Sequence, residues 1–61
     1  MNWLKRLRTE KGLTQNEVAR KAGFSYQLYS HIETGRRTPT VRVAKKIAKV
    51  LEFDWTEFYK D

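Results

Sequence analysis

Four side chains between residues 26 and 31 carry hydrogen-bonding groups suited to the edges of nucleic-acid bases. They are Tyr26, Gln27, Ser30 and His31. Because a helix advances about 100° per residue, they share one face, and Leu28, Tyr29 and Ile32 share the opposite, apolar face. The amide of Gln27 places a donor beside an acceptor, the pattern that pairs with adenine in the major groove. The alternative for Gln27 and His31 is a solvated surface, and for Tyr26 a ring that shields the helix start.

Groups for catalysis or metal binding are missing from the sequence. The chain has no cysteine and one histidine, too few nitrogen and sulfur donors for the usual zinc sites. It has no glycine loop of the phosphate-cradling type and no pair of carboxylates in an apolar context. The sequence therefore predicts a protein that is not an enzyme and that needs no cofactor or metal.

The charge distribution favours a polyanionic partner. The 61 residues carry a formal net charge of +6, and Lys and Arg gain affinity for nucleic acid by releasing its condensed counterions. Residues 36–49 include six basic side chains and no acid, whereas residues 52–61 include four acids and one lysine.

The length of 61 residues predicts one domain, 1–61. No apolar run nears the roughly 20 residues that span a bilayer, and a cytoplasmic location is expected.

Local capping patterns predict a helix-turn-helix in the first half of the chain. Thr14 and Glu17 form a capping box that starts a second helix, and Gly23 is suited to end it. Ser25 is a good N-cap for a third helix over about 26–33. Two helices joined across a short turn that contains glycine are typical of the helix-turn-helix motif.

Three further helices complete an all-α fold of five helices. The first is expected over 2–11. The fourth starts after Thr40, and its apolar stripe recurs at helical spacing in Val41, Ala44, Ile47, Ala48 and Leu51. Asp54 and Glu57 form a second capping box, which predicts a short fifth helix. Besides the apolar stripe, the predicted core includes Trp3, Leu7, Val18 and Ile32.

These elements together resemble the Cro and lambda-repressor type of helix-turn-helix domain, also called the xenobiotic-response-element family. The resemblance covers nearly the whole chain. It is carried by LTQ at residues 13–15, Ala19, Gly23, IETG at residues 32–35, and Pro39 ahead of an AxxIAxxL pattern. The resemblance implies a lambda-repressor-like fold whose third helix lies in the major groove while the second bridges the backbone. Two positions differ: Tyr29, where the family usually has Ile or Val, and Thr34, where Asn is frequent.

The resemblance also implies a role for each residue at the DNA. The base-reading positions are Tyr26, Gln27, Ser30 and His31. The phosphate-binding positions are Thr14, Gln15, Thr34, Arg36 and Arg37. For the two arginines the reason is their place after the recognition helix, where backbone phosphates would pass. By the same comparison, Arg8 and Glu33 are expected to form an internal ion pair. Lys45, Lys46 and Lys49 are interpreted as a solvated face that adds long-range attraction.

The function implied is a sequence-specific regulator of transcription that binds double-stranded DNA, a repressor of bacterial or phage origin. One recognition helix reads too few base pairs to select a site, so a homodimer on a palindromic operator is expected. The dimer interface is predicted at the aromatic residues of the fifth helix, Trp55, Phe58 and Tyr59. The alternative for Trp55 and Phe58 is that they close the core of the monomer.

A protein-interaction module is the competing hypothesis. The acidic, aromatic segment EFDWTEFYKD at residues 52–61 could seat a toxin as readily as a second copy of the chain. Under this alternative the protein is an antitoxin, and its DNA binding is secondary.

Overall fold

The computed structural model describes residues 1–60 of the chain. They contain four α-helices and one 3₁₀ helix. In chain order they are α1 (Asn2–Glu10), α2 (Gln15–Ala22), α3 (Tyr26–Glu33), α4 (Val41–Leu51) and the 3₁₀ helix (Trp55–Tyr59). No strand occurs within residues 1–60, which confirms the all-α class. In that same range, no helix is both long and apolar enough to cross a membrane.

The prediction of five α-helices is wrong at the last element. Asp54 Oδ1 accepts hydrogen bonds from the backbone N–H of Thr56 at 3.0 Å and from its hydroxyl at 2.8 Å. The Asp54 side chain caps Thr56 and not Glu57, and the Glu57 carboxylate accepts from Lys60 Nζ at 3.1 Å, so the bonds of the expected capping box are not made. The bond from the Thr56 backbone to the Asp54 side chain makes a tight turn. The backbone bonds that follow it join residues three apart, as in a 3₁₀ helix.

The helix-turn-helix start signals are confirmed. Thr14 Oγ1 accepts from the Glu17 backbone N–H at 3.1 Å, and Glu17 Oε1 accepts from the Thr14 backbone N–H at 2.8 Å. Gly23 ends α2 with a φ of 88°, a conformation that side chains with a Cβ avoid. Ser25 Oγ then accepts from the Leu28 backbone N–H at 3.2 Å and starts α3.

One apolar core fixes the orientation of α3. It is built from Leu4, Val18, Ala19, Tyr29, Ile32, Ala44, Ile47, Leu51 and Phe58. Trp3, Phe53 and Phe58 meet edge to face, with ring centroids 5.2 to 5.5 Å apart. Two predicted core residues are only half-buried: Trp3 packs against the core from its edge, and Leu7 lies outside the core cluster. Because Tyr29 and Ile32 are fully buried, the opposite face of α3 must point outward.

Candidate nucleic-acid interface

The outward face of α3 carries the predicted base-reading residues. Tyr26 is 47% exposed, Gln27 and His31 are exposed, and Ser30 is half-buried. The helical-wheel prediction of one polar and one apolar face is therefore confirmed. With Tyr29 and Ile32 anchored in the core, α3 presents these hydrogen-bond donors and acceptors on its outward face.

Two exposed arginines lie in the loop that follows α3. The backbone N–H groups of Arg36 and Arg37 both donate to the carbonyl oxygen of His31, at 2.8 and 3.1 Å. These bonds hold the loop against the end of α3, and both side chains remain exposed. Thr34 is exposed too, and its hydroxyl donates to the carbonyl of Ser30 at 2.8 Å. The backbone of both arginines is thus held against His31, near the carboxyl end of α3.

The two predicted phosphate-binding residues at the start of α2 are both engaged within the protein. The hydroxyl oxygen of Thr14 accepts from the Glu17 backbone as the cap of α2, although the residue itself is exposed. Gln15 is half-buried, and its side-chain amide nitrogen donates to Glu33 Oε2. The contact between Gln15 and Glu33 was not predicted from the sequence, because it joins residues that lie far apart in the chain.

The buried carboxylate of Glu33 is the centre of a polar network that joins α1, α2 and α3. Arg8 Nε donates to Glu33 Oε1 at 2.7 Å, and Arg8 Nη2 donates to Glu33 Oε2 at 3.2 Å. The hydroxyl of Tyr29 donates to Oε1 at 2.9 Å. Arg8 Nη1 also reaches the carbonyl of Leu13 at 2.7 Å. The predicted ion pair is confirmed, and the same carboxylate gives the buried Tyr29 hydroxyl a hydrogen-bond acceptor.

The network keeps its carboxylate ionised. Burial disfavours the charge and by itself raises the pKa of Glu33, but the hydrogen bonds from Arg8, Gln15 and Tyr29 outweigh it and the pKa lies below its usual value. The hydrogen bond to Glu33 raises the pKa of Arg8 despite burial. Burial and the neighbouring carboxylate raise the pKa of the Tyr29 hydroxyl. Glu33 therefore acts as an acceptor only, and Tyr29 as a neutral donor.

The aromatic end of the chain divides between core and surface. Phe58 is 7% exposed and belongs to the core, so its side chain has little area to offer a partner. Trp55 is half-buried, with Lys45 Nζ 5.2 Å from its ring centroid. Tyr59 is 43% exposed, and its hydroxyl donates to the carbonyl of Pro39 at 2.7 Å.

Val41 is an exposed apolar residue that sequence reasoning placed in the buried stripe of α4. It is 48% exposed because it is the first residue of α4, ahead of the turns that pack on the core. The bond from Tyr59 to Pro39 brings the 3₁₀ helix to the start of α4. Val41 and Tyr59 therefore lie at the same end of the molecule.

The chemistry available on the α3 face is recognition. Amide, hydroxyl and imidazole groups there match the donors and acceptors of base edges, and the arginines of the next loop carry the charge that suits phosphates. Within residues 1–60, no three His, Asp or Glu side chains are grouped so that they could hold a metal ion. A capped helix, a turn through Gly23 and a second helix with an exposed polar face define a DNA-binding helix-turn-helix domain.

Comparison with known proteins agrees with this class. The helix-turn-helix family matches residues 4–58, and the chain belongs to this family, in its Cro and lambda-repressor type. The family consists of DNA-binding transcriptional regulators and not of enzymes. No solved structure gives a significant match to the chain.

Several relatives carry the name of HTH-type transcriptional regulator, each called uncharacterized. YqaF of Bacillus subtilis is 52% identical over 59 residues, which cover 97% of this chain and 78% of YqaF. The protein y4dJ of Sinorhizobium fredii is 54% identical over 46 residues, 75% of this chain and 60% of that protein. A relative from Archaeoglobus fulgidus is 36% identical over 47 residues, 77% of this chain and 67% of the relative.

Proposed function

We propose that this protein is a sequence-specific regulator that binds double-stranded DNA with α3 in the major groove. The observation that carries the proposal is the two-sided character of α3. Its inner face is anchored by Tyr29 and Ile32, both fully buried, and its outer face bears exposed hydrogen-bonding groups. A rigid helix with this outer face can discriminate base pairs, because each base pair presents a distinct pattern in the major groove.

The proposed contacts divide into two kinds. Base edges are read by Tyr26, Gln27, Ser30 and His31. Phosphates are bound by Thr14, Gln15, Thr34, Arg36 and Arg37. The arginines supply the charge for affinity, and the α3 side chains supply the sequence preference.

We further propose a homodimer on a palindromic operator, acting as a repressor in a bacterium or a phage. Two recognition helices must lie roughly 34 Å apart to enter successive major grooves. Exposed apolar groups at one end of the molecule, Tyr59 and Val41, with the half-buried Trp55, offer the interface. Phe58 supports these groups from the core. The similarity to YqaF of Bacillus subtilis supports a bacterial setting, and a dimer that covers a promoter represses by excluding the polymerase.

Salt dependence tests whether phosphate contacts supply the affinity. We expect log Kd for a duplex to change linearly with log salt concentration, with a slope magnitude of about 0.9 for each phosphate neutralised. Arg36→Ala should reduce that slope by about 1. Lys60→Ala, which removes an exposed charge from the acidic end, is the matched control and should leave the slope nearly unchanged. Fluorescence anisotropy over a salt series measures both. Binding that is independent of salt, or that prefers single-stranded RNA, contradicts the proposed function.

Base choice and general affinity should respond to different variants. Gln27→Ala is expected to relax the preference at one base position by about 1 to 3 kcal/mol, because the amide pairs with a single base. Arg37→Ala should weaken all duplexes alike, because phosphates carry no base identity. Selection from a random duplex pool, followed by affinities for single-position operator variants, measures the contrast. Uniform loss in both variants would show that Gln27 does not read a base.

A further inference from the structure

We propose that Tyr29 and Glu33 are positioning residues that set the orientation of the Gln15 side-chain amide at the amino end of α2. Tyr29 orients the Glu33 carboxylate, and the carboxylate holds the Gln15 amide nitrogen inward. The two residues thereby fix which group Gln15 presents to a phosphate. The part that concerns phosphate rests on the proposed DNA-binding function. The orientation itself is a property of the protein without DNA.

The Glu33 carboxylate is saturated by four donors. Oε1 accepts from Arg8 Nε and from the Tyr29 hydroxyl, and Oε2 accepts from Arg8 Nη2 and from Gln15 Nε2. An ionised carboxylate offers about four lone-pair sites, so the set is complete. Each donor thus restricts where the others can bind.

Tyr29 supplies the fixed point of this arrangement. Its ring is fully buried in the core, so packing sets the position of its hydroxyl. Tyr29 and Glu33 lie four residues apart on α3, on the same side of the helix. Without the hydroxyl, Oε1 has a vacant acceptor site, and the carboxylate can turn or admit water or the Gln15 amide at that site.

The carboxylate dictates which end of the Gln15 amide faces inward. The oxygen of the amide would meet a second acceptor there, so the nitrogen faces Glu33. One of the two amide N–H groups is used in this bond. The second N–H is the group left to donate to a phosphate, and an amide in the opposite orientation would present its oxygen to the phosphate charge instead.

The orientation is tested first without DNA, by the side-chain NH₂ resonances in ¹H–¹⁵N spectra. Gln15 and Gln27 are the only glutamines of the chain, so exposed Gln27 is an internal reference. The Gln15 resonances are expected to lie apart from those of Gln27 and to exchange more slowly with water. Tyr29→Phe, which keeps the ring, should move them toward the Gln27 values. The proposal is overturned if the Gln15 resonances match those of Gln27 in the wild type, or if Tyr29→Phe leaves them unchanged.

The consequence for DNA is tested by a double-mutant cycle of Tyr29→Phe and Gln15→Ala. Tyr29→Phe should weaken operator binding by about 2- to 10-fold, the effect of one hydrogen bond. In the Gln15→Ala background it should have no further effect, whereas a merely structural role would cost the same in both backgrounds. Thr9→Ala, which removes a hydroxyl bonded to the Arg6 carbonyl outside the proposed dimer interface, is the control and should combine additively with Gln15→Ala. If the wild type binds no duplex at all, the proposed function fails, and the amide resonances alone still decide the orientation.

Discussion

Replacing Arg8 by methionine is expected to lower the free energy of unfolding by about 3 to 5 kcal/mol, because it leaves a buried carboxylate without its counter-charge. The side chains of Arg8 and Glu33 are only 11% and 4% exposed. A domain of this size is stabilised by roughly 3 to 9 kcal/mol in total. The variant should therefore be partly or largely unfolded at room temperature, as urea titration followed by circular dichroism will measure.

The surface pair of Lys11 and Glu52 provides the matched control. Its nitrogen and oxygen lie 2.8 Å apart, close to the 2.7 Å of the buried pair, but the side chains are 33% and 75% exposed. Lys11→Met should cost less than about 1 kcal/mol, because water and salt screen an exposed pair. If Arg8→Met and Lys11→Met lower the free energy of unfolding by similar amounts, the burial of Glu33 does not account for the stability that its ion pair contributes.

Acid should reduce the penalty for losing Arg8. The pKa of Glu33 is lowered in the folded protein, so the stability it contributes is present above the ordinary carboxyl pKa of about 4.3 and is lost as the pH falls. In Arg8→Met, burial without the arginine favours the protonated form of Glu33. The stability difference between wild type and variant should therefore narrow as the pH falls through about 4. If the stability difference between wild type and Arg8→Met does not change with pH, Glu33 is not the ionised partner of Arg8.

Val41→Glu is expected to convert two copies of the protein per palindromic duplex into one. The substitution puts a charge into the proposed dimer interface, and losing the second copy should weaken operator binding by about 10²- to 10⁴-fold. Folding should survive, because an acid in the first turn of α4 interacts favourably with the helix dipole. Sedimentation with and without the duplex measures the stoichiometry. Tyr59→Glu tests the same interface from the 3₁₀ helix.

Thr9→Glu is the control for the change in charge. Thr9 is exposed on α1, and its substitution adds the same negative charge outside the proposed interface. It should retain two copies per duplex and lose only the small affinity that the added charge costs. If wild type, Val41→Glu and Tyr59→Glu all bind as single copies with equal affinity, the proposed dimer is wrong. Binding of an unrelated small protein by the wild type, abolished by Val41→Glu, would instead support the antitoxin hypothesis.

Helix starts and the two faces of α3 could be predicted because they depend on near neighbours in the chain. The bonds between Thr14 and Glu17 span three residues, and so does the bond from the Leu28 backbone to Ser25. Amphipathic spacing likewise predicts which side of α3 is buried, since the helix itself sets the angle between residues. The ion pair of Arg8 with Glu33 lay beyond such reasoning and was predicted only through the family resemblance.

The sequence by itself determined that this protein is a small helical domain with a helix-turn-helix and an exposed polar face on α3. The tertiary structure alone decided that Gln15 donates to Glu33, that Phe58 enters the core and that Val41 stays outside it. These outcomes depend on how separate elements pack, because the partners lie far apart in the chain and no local pattern encodes their distance. The same packing places the Tyr29 hydroxyl against Glu33 and so connects the buried side of α3 with the amino end of α2.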